Sequence, residues 1–344
     1  MVEQAILITG SSGEVGVGLL QHLAGQQSEK IVAVDLREGQ HPLPKNAVFI
    51  KGNVTDQSLW ADLAERYDFV KIFHLAGILS TGAEKNPELA HEVNAQASVK
   101  LIALARVQSE KRGSPTKFIF PSTIAVYGIS SSEIKNQSGK VREDQFLSPI
   151  TIYGSNKLYV ENIGRYYTRH YKLLEDRTDN KIDFRAVRFP GLLSSETLPT
   201  GGTSDYGAEI LHAAAKGVPY NCFVKPETTL PFMAMPDAVR ALIELTQAPK
   251  ERLTQLVYNV GAFSVSAAGI LAETSKHFPD AKVDYVIDKK RHSIVETWPM
   301  DVDDSAASRD WGWRAKYNLE SAFTEYLVPG VLRRYGLMDK AASF

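Results

Sequence analysis

The chain has 344 residues, 44% of them hydrophobic, and a formal net charge of −1. That is enough apolar material for a large core divided over about two domains. The balanced charge gives no electrostatic footprint for nucleic acid or an anionic membrane, and no apolar run approaches the ~20 residues of a bilayer span.

The single cysteine, Cys222, permits no intrachain disulfide and reads as a small buried residue. The strand-like start at 4–9 leaves no room for a cleavable secretory leader, so the expected compartment is the cytoplasm.

The first predicted strand is 5–9 (AILIT), and a helical pattern follows over 15–25 with Val15, Leu19, Leu20 and Leu23 on one face. Between them lies Thr9-Gly10-Ser11-Ser12-Gly13-Glu14-Val15-Gly16. Glycines between a strand and a helix let backbone N–H groups approach a pyrophosphate, and the helix N-terminus adds a favourable dipole. The next strand, 31–34, ends at Asp35. A carboxylate there, about twenty residues beyond the glycines, accepts hydrogen bonds from an adenosine ribose and repels a 2′-phosphate, which favours NAD over NADP. Arg37 tempers that preference.

Further strands are expected at 48–50, 69–74 and 117–121, and a long helix at 90–109. The alternation of continuous apolar strands with helices implies a Rossmann-type, doubly wound parallel sheet covered on both faces. The strand at 117–121 runs into Pro121-Ser122-Thr123-Ile124-Ala125-Val126-Tyr127-Gly128, at the sheet edge where ligands bind. Thr123 is chosen to hold a substrate oxygen, with Ser122 left to cofactor or backbone. A second long helix, 152–171, opens with Tyr153-Gly154-Ser155-Asn156-Lys157. Tyr and Lys at i and i+4 share one helix face. A phenol is a poor base at its ordinary pKa of ~10, and a neighbouring ammonium, together with the positive nicotinamide ring of an oxidised cofactor, favours the phenolate. Tyr153 is then able to take a proton from a substrate hydroxyl. A strand at 184–189 follows.

Beyond about residue 190 glycine and proline punctuate shorter elements: helices at 206–216, 236–247 and 266–277, strands at 257–260 and 283–287. The expected division is a cofactor domain over 1–190, a smaller α/β substrate lobe over 191–330, and a tail over 331–344. The strand near 257–260 is expected to return to the main sheet. The polar stretches 130–145 and 173–181 read as loop insertions.

His74 reads as a packed structural residue. Asp301, Asp303 and Asp304 read as a solvated turn capping the next helix, and Trp311 and Trp313 as packing. No His, Cys or carboxylate spacing suggests a metal.

The segments TGSSGEVG, HLAG (74–77), PSTIAVYG, YGSNK and RFPG (188–191) together make the chain resemble the extended short-chain dehydrogenase/reductase family. The resemblance runs from about residue 5 to about 327. It is nearest to the family's short-chain L-threonine 3-dehydrogenase group, through the stretches 74–94, 188–214, 229–245 and 296–313. It implies NAD as cofactor and L-threonine as a small-molecule substrate. The implied catalytic residues are Thr123, Tyr153 and Lys157. The implied cofactor contacts are Gly10, Ser12, Gly13, Glu14, Val15 and Gly16 in the loop, then Asp35, Leu36 and Arg37. Asn53 and Val54 would lie near the adenine, although the family more often has Asp at 53. Leu75, Ala76 and Gly77 would run along the cofactor, and Asn94 would support the active-site helix. Ser122, Tyr153, Lys157, Phe189 and Pro190 complete that set. Substrate contacts carried over are Ser80, Thr123, Tyr153, Gly191, Gly202 and Thr203. Thr200 stands where the group has another glycine. The resemblance also implies a homodimer joined through the helices 90–109 and 152–171. The competing reading on the same scaffold is a nucleotide-sugar epimerase or dehydratase, or a sugar-acid dehydrogenase. A non-catalytic NAD sensor is disfavoured because both Tyr153 and Lys157 are present.

Overall fold

A computed structural model of the chain describes residues 2–24, 29–175, 182–199 and 202–337. Thr200, Gly201, residues 176–181 of the second insertion and residues 338–344 of the tail lie outside the described residues. From the N-terminus the elements are β1 (Glu3–Thr9), α1 (Glu14–Leu23), β2 (Lys30–Asp35), β3 (Ala47–Lys51), α2 (Gln57–Arg66) and β4 (Tyr67–His74). Then come α3 (Ser80–Lys85), α4 (Pro87–His91) and α5 (Ala97–Arg112), the last two joined by a π-helical turn, Glu92–Gln96. β5 (Thr116–Thr123) follows, then α6 (Ser132–Gln137), β6 (Lys140–Val141), α7 (Ile152–Arg165) and β7 (Ile182–Phe189).

The C-terminal part adds β8 (Gly191–Leu193), α8 (Tyr206–Lys216), β9 (Tyr220–Cys222), β10 (Thr229–Ala234), α9 (Met235–Gln247), β11 (Val257–Asn259), β12 (Phe263–Ser266) and α10 (Ala267–His277). It ends with β13 (Val283–Tyr285), α11 (Lys289–Glu296), β14 (Asp301–Val302), α12 (Ser305–Trp311), α13 (Leu319–Ser321) and α14 (Val328–Arg334).

The central sheet has seven strands in the order β11-β7-β5-β4-β1-β2-β3, every neighbouring pair parallel. This is the doubly wound Rossmann arrangement expected from the sequence. Strands buried on both faces need near-continuous apolar runs. β1 and β2 supply them with Ala5–Ile8 and Ile31–Val34, all fully buried. One core layer lies between the sheet and α1 and α9; another lies between the sheet and α2, α5 and α7. Chain order reverses between β1 and β4, so the loops leaving those two strands diverge and open a crevice at their C-terminal ends.

The second lobe is built on a three-stranded sheet, β12-β10-β8, with its own core. The sequence reading missed β8, β10 and β12 because each pairs with a distant partner, and β8 and β12 are also short. It also read 130–145 as loop. Within that span α6 is capped by Ser131, and β6 pairs in parallel with β14, which makes Asp301 part of a strand and not of a turn. Asp303, not Asp304, accepts the Ser305 N–H at the head of α12, at 2.9 Å. β11 pairs with β7 along Val257–Asn259. The expected tail boundary at 331 falls inside α14, whose Val331 and Leu332 are buried. Trp313 is buried and carries the Arg240 guanidinium 4.7 Å from its ring centre. No helix among the described residues is long and apolar enough to cross a membrane.

Candidate active site

The turn after β1 is where the crevice begins. Gly10 has φ +69°, and a Cβ there would lie 2.6 Å from the Ala76 backbone N. Only glycine permits both the left-handed backbone and this contact between the β1 and β4 loops. Gly13 is the N-cap of α1 and has no side chain to cap it, so the first N–H groups of the helix face the cavity unclaimed by a cap. Such an end suits a phosphate group. That uncapped end, together with the Gly10 crossing, is the structural fit to a dinucleotide.

The cavity has a volume of about 370 Å³. On the glycine-loop side its walls are Gly10, Gly13, Glu14, Val15, Gly16, Leu75 and Gly77. On the opposite side stand Ser122, Thr123, Tyr153, Lys157, Phe189, Pro190 and Gly191, and Ser80, Gly202 and Thr203 close one end. Eight further residues chosen from the sequence are outside that lining. Asp35 accepts from the Ser12 N–H at 3.0 Å and from the Arg37 N–H at 3.5 Å, so its carboxylate also braces the glycine loop. Leu36 and Arg37 are exposed beside it. Asn53 turns its side-chain oxygen onto the Thr55 N–H at 3.1 Å, and Val54 is buried. Ala76 donates its N–H to Thr9 Oγ1 at 3.3 Å, and Asn94 pins both backbone groups of Ile78, at 2.7 and 2.9 Å.

Three groups face one another across the β5–α7 corner. Thr123 Oγ1 accepts the Ala125 N–H at 3.1 Å, leaving its own proton free to donate. The Tyr153 hydroxyl faces that threonine side chain, whose hydroxyl favours its ionised form. Thr151 caps α7, and a Cβ on Gly154 would lie 2.0 Å from the Ala125 carbonyl oxygen. Glycine after the tyrosine therefore lets the start of α7 press against the turn after β5, which sets the Thr–Tyr contact. One turn on, Lys157 donates to the Pro121 carbonyl at 2.7 Å. Its ammonium lies 4.4 Å from the Phe120 ring centre and 5.7 Å from that of Tyr153.

Burial pushes the Tyr153 phenol up to about 12, and the Thr123 hydrogen bond opposes it. Burial brings Lys157 down to about 8, with Glu161 pulling the other way. The sequence reading expected Lys157 to depress the phenol. In the protein alone, burial outweighs any such effect.

Behind this corner is a buried ionic network that the sequence reading did not find. Glu161 lies one turn beyond Lys157 and accepts from Ser122 Oγ at 2.5 Å and from Arg188 at 2.9 and 2.6 Å. Arg188 also donates to the Tyr127 hydroxyl at 3.0 Å. The i+4 spacing from Lys157 was the available signal. Ser122 thus spends its hydroxyl on Glu161 and not on the backbone. His74 is wholly buried between Thr9 Oγ1 at 2.7 Å and Ser98 Oγ at 2.8 Å. Burial, with the Lys157 charge, brings it down to about 3, so it is neutral.

The second lobe meets the first through Ser80 and Thr203, whose hydroxyls are 2.8 Å apart; Ser80 also accepts the Thr203 N–H at 3.1 Å. Gly202 donates its N–H to Asp205 at 2.6 Å, and its carbonyl accepts from Arg291 at 3.3 Å. Leu79, Ile124, Asp205 and Trp298 also line the cavity and were missed. Asp205 and Trp298 lie within segments that carried the resemblance, next to GGT and inside ETWP. Among the described residues no group of three or more His, Cys, Asp or Glu side chains is placed to hold a metal.

The sequence matches the NAD dependent epimerase/dehydratase family over residues 6–261. A relative from Bos taurus, "L-threonine 3-dehydrogenase, mitochondrial", is 32% identical over 94% of this chain and 82% of its own. Among solved structures, "Partial Consensus L-threonine 3-dehydrogenase (E-change)" superposes with a TM-score of 0.84 at 33% identity, covering 96% of this chain and 99% of that one. A "Monomeric L-threonine 3-dehydrogenase from metagenome database (apo form)" gives 0.82 at 33%, over 95% and 98%. With the glycine loop and the Thr–Tyr–Lys corner built into one crevice, these matches show that the chain belongs to the NAD dependent epimerase/dehydratase family, the extended short-chain dehydrogenases.

Proposed function

We propose that the protein oxidises the β-hydroxyl of L-threonine to 2-amino-3-oxobutanoate with NAD as acceptor. The observation that carries this reading is the Thr123–Tyr153–Lys157 corner sharing one cavity with both the glycine loop and the Ser80–Thr203 contact. NAD, when bound, supplies the hydride acceptor. Its diphosphate would be held by the backbone of Gly10, Ser12, Gly13, Glu14, Val15 and Gly16, and its adenosine ribose by Asp35 beside Leu36 and Arg37. Asn53, Val54, Leu75, Ala76 and Gly77 would flank it, with Phe189 and Pro190 at the nicotinamide end.

Thr123 orients the substrate hydroxyl through its own hydroxyl, which in the protein alone faces Tyr153. Tyr153 takes the hydroxyl proton as the carbonyl forms. Lys157, charged over much of the neutral range, favours the phenolate that this step requires and reaches for the cofactor ribose. Asn94 acts through Ile78, and Ser122 through Glu161. Ser80, Gly191, Gly202 and Thr203 would enclose the amino acid and exclude water, which strengthens every charged contact to so small a ligand. Relatives named as L-threonine 3-dehydrogenases over nearly the whole chain support this substrate.

A soluble cytoplasmic enzyme fits the chain. A homodimer through α5 and α7 is the assembly proposed, although one similar structure is described as monomeric.

The test is NADH formation by purified protein offered L-threonine, D-threonine, L-serine, sugar acids and nucleotide sugars, each with NAD and NADP. L-Threonine with NAD should be the best pair. L-Serine, lacking one methyl, should trail by about 10–200-fold in kcat/KM. Conversion of a nucleotide sugar with no response to threonine would replace this reading with the epimerase one.

A further inference from the structure

The first residue of α1 is a carboxylic acid, and it stands on the wall of the cavity with Gly10, Gly13 and Gly16. A helix N-terminus favours one anion within its first turn. Here the side chain of Glu14 and the diphosphate of a dinucleotide would both bring negative charge to the same helix end. Thr197, in the segment after β8 of the second lobe, donates its hydroxyl to Glu14 and lies 3.0 Å from Ser194 Oγ. A threonine hydroxyl is able to donate to a carboxylate or accept from a carboxylic acid, so this tie survives protonation.

We propose that Glu14 makes dinucleotide affinity proton-linked: the diphosphate binds beside the protonated carboxyl, and affinity falls as the carboxyl ionises. This rests on the NAD reading above.

The surroundings of Glu14 support that direction. Burial and the negative charge of Asp205, in the loop before α8, hold its carboxyl above the usual range, while the Thr197 hydrogen bond pulls it down. Asp205 itself binds the Gly202 N–H. No cation offsets Glu14 among the described residues. On α9, which packs along α1, Asp237 pairs with Arg240, and Arg240 also with Glu244. Beside Thr197, Glu196 faces Arg333. Across the cavity the Lys157 ammonium is spent on the Pro121 carbonyl. A diphosphate brought against Glu14 adds like charge and raises its pKa further. By linkage, binding then draws a proton from solvent wherever free Glu14 is ionised, and affinity falls as pH rises through that pKa.

The experiment is NADH binding by fluorescence titration and calorimetry between about pH 4.5 and about pH 6.5, below the range where Lys157, brought down to about 8, titrates. In the wild type Kd should rise by about tenfold across that span, the change that one unit of linked pKa shift produces. Calorimetry in buffers of different ionisation enthalpy should show net proton uptake. Glu14→Gln should remove the proton uptake, flatten the profile and bind more tightly than wild type at the upper end. Thr197→Val keeps every charge but loses the hydroxyl that lowers the Glu14 pKa. Its transition should move to higher pH, and it carries the test if Glu14→Gln fails to fold. Identical profiles for wild type and either variant overturn the inference while leaving the cofactor reading intact. No NADH binding at any pH overturns both.

Discussion

At the residue scale, the decisive contest is at Tyr153. A buried phenol resists ionisation, and the Thr123 hydroxyl beside it does not reverse the burial effect. The base must therefore be made in the complex, from the Lys157 charge and the positive end of the reaction. Tyr153→Phe keeps the ring packing and removes only the oxygen. Turnover should fall by roughly 10²–10⁴-fold, as for a lost general base, while NADH binding persists. The wild-type rate should rise with pH as the phenol loses its proton, and the variant's residual rate should lose that dependence. Stopped-flow kinetics over a pH series checks both; near-normal turnover in Tyr153→Phe would remove the residue from the mechanism.

At the element scale, α7 and β7 hold the catalytic corner through charge as well as packing. Glu161 is wholly buried and Arg188 nearly so, and the pair joins α7 to β7 directly behind Lys157. Breaking a buried ion pair from one side leaves a charge without compensation. Arg188→Ala should cost about 3–5 kcal/mol in denaturant unfolding, and adding Glu161→Gln should recover part of that loss. A loss under 1 kcal/mol, about the worth of an exposed pair, would show that the pair is not what holds this corner.

The elements legible in the sequence were those whose pattern is local. Continuous apolar runs marked β1, β2 and β5, and periodicity marked α7. The glycine loop and the Tyr–Lys spacing were visible for the same reason. What escaped depends on distant partners. β6 is two residues long and exists only by pairing with β14. Trp298 lines the cavity from a segment whose local pattern says only that it packs. The Glu161–Arg188 pair spans 27 residues, and no local rule joins its members.

At the scale of the whole molecule, two cores meet along one cavity. The Rossmann sheet supplies the glycine loop and the Thr–Tyr–Lys corner, and the second lobe supplies Gly202, Thr203 and the Thr197 tie to Glu14. A dehydrogenase and an epimerase on the same scaffold differ in the fate of the hydride: a dehydrogenase must release reduced cofactor, whereas an epimerase returns the hydride to its substrate. The most direct test follows the hydrogen itself. L-Threonine carrying deuterium at C3 is turned over with NAD, and the product cofactor is examined by mass spectrometry and NMR. The account predicts one deuterium at the nicotinamide C4 of the released NADH for each 2-amino-3-oxobutanoate formed. Product cofactor without deuterium, or threonine left unoxidised under conditions where NADH binds, would contradict it.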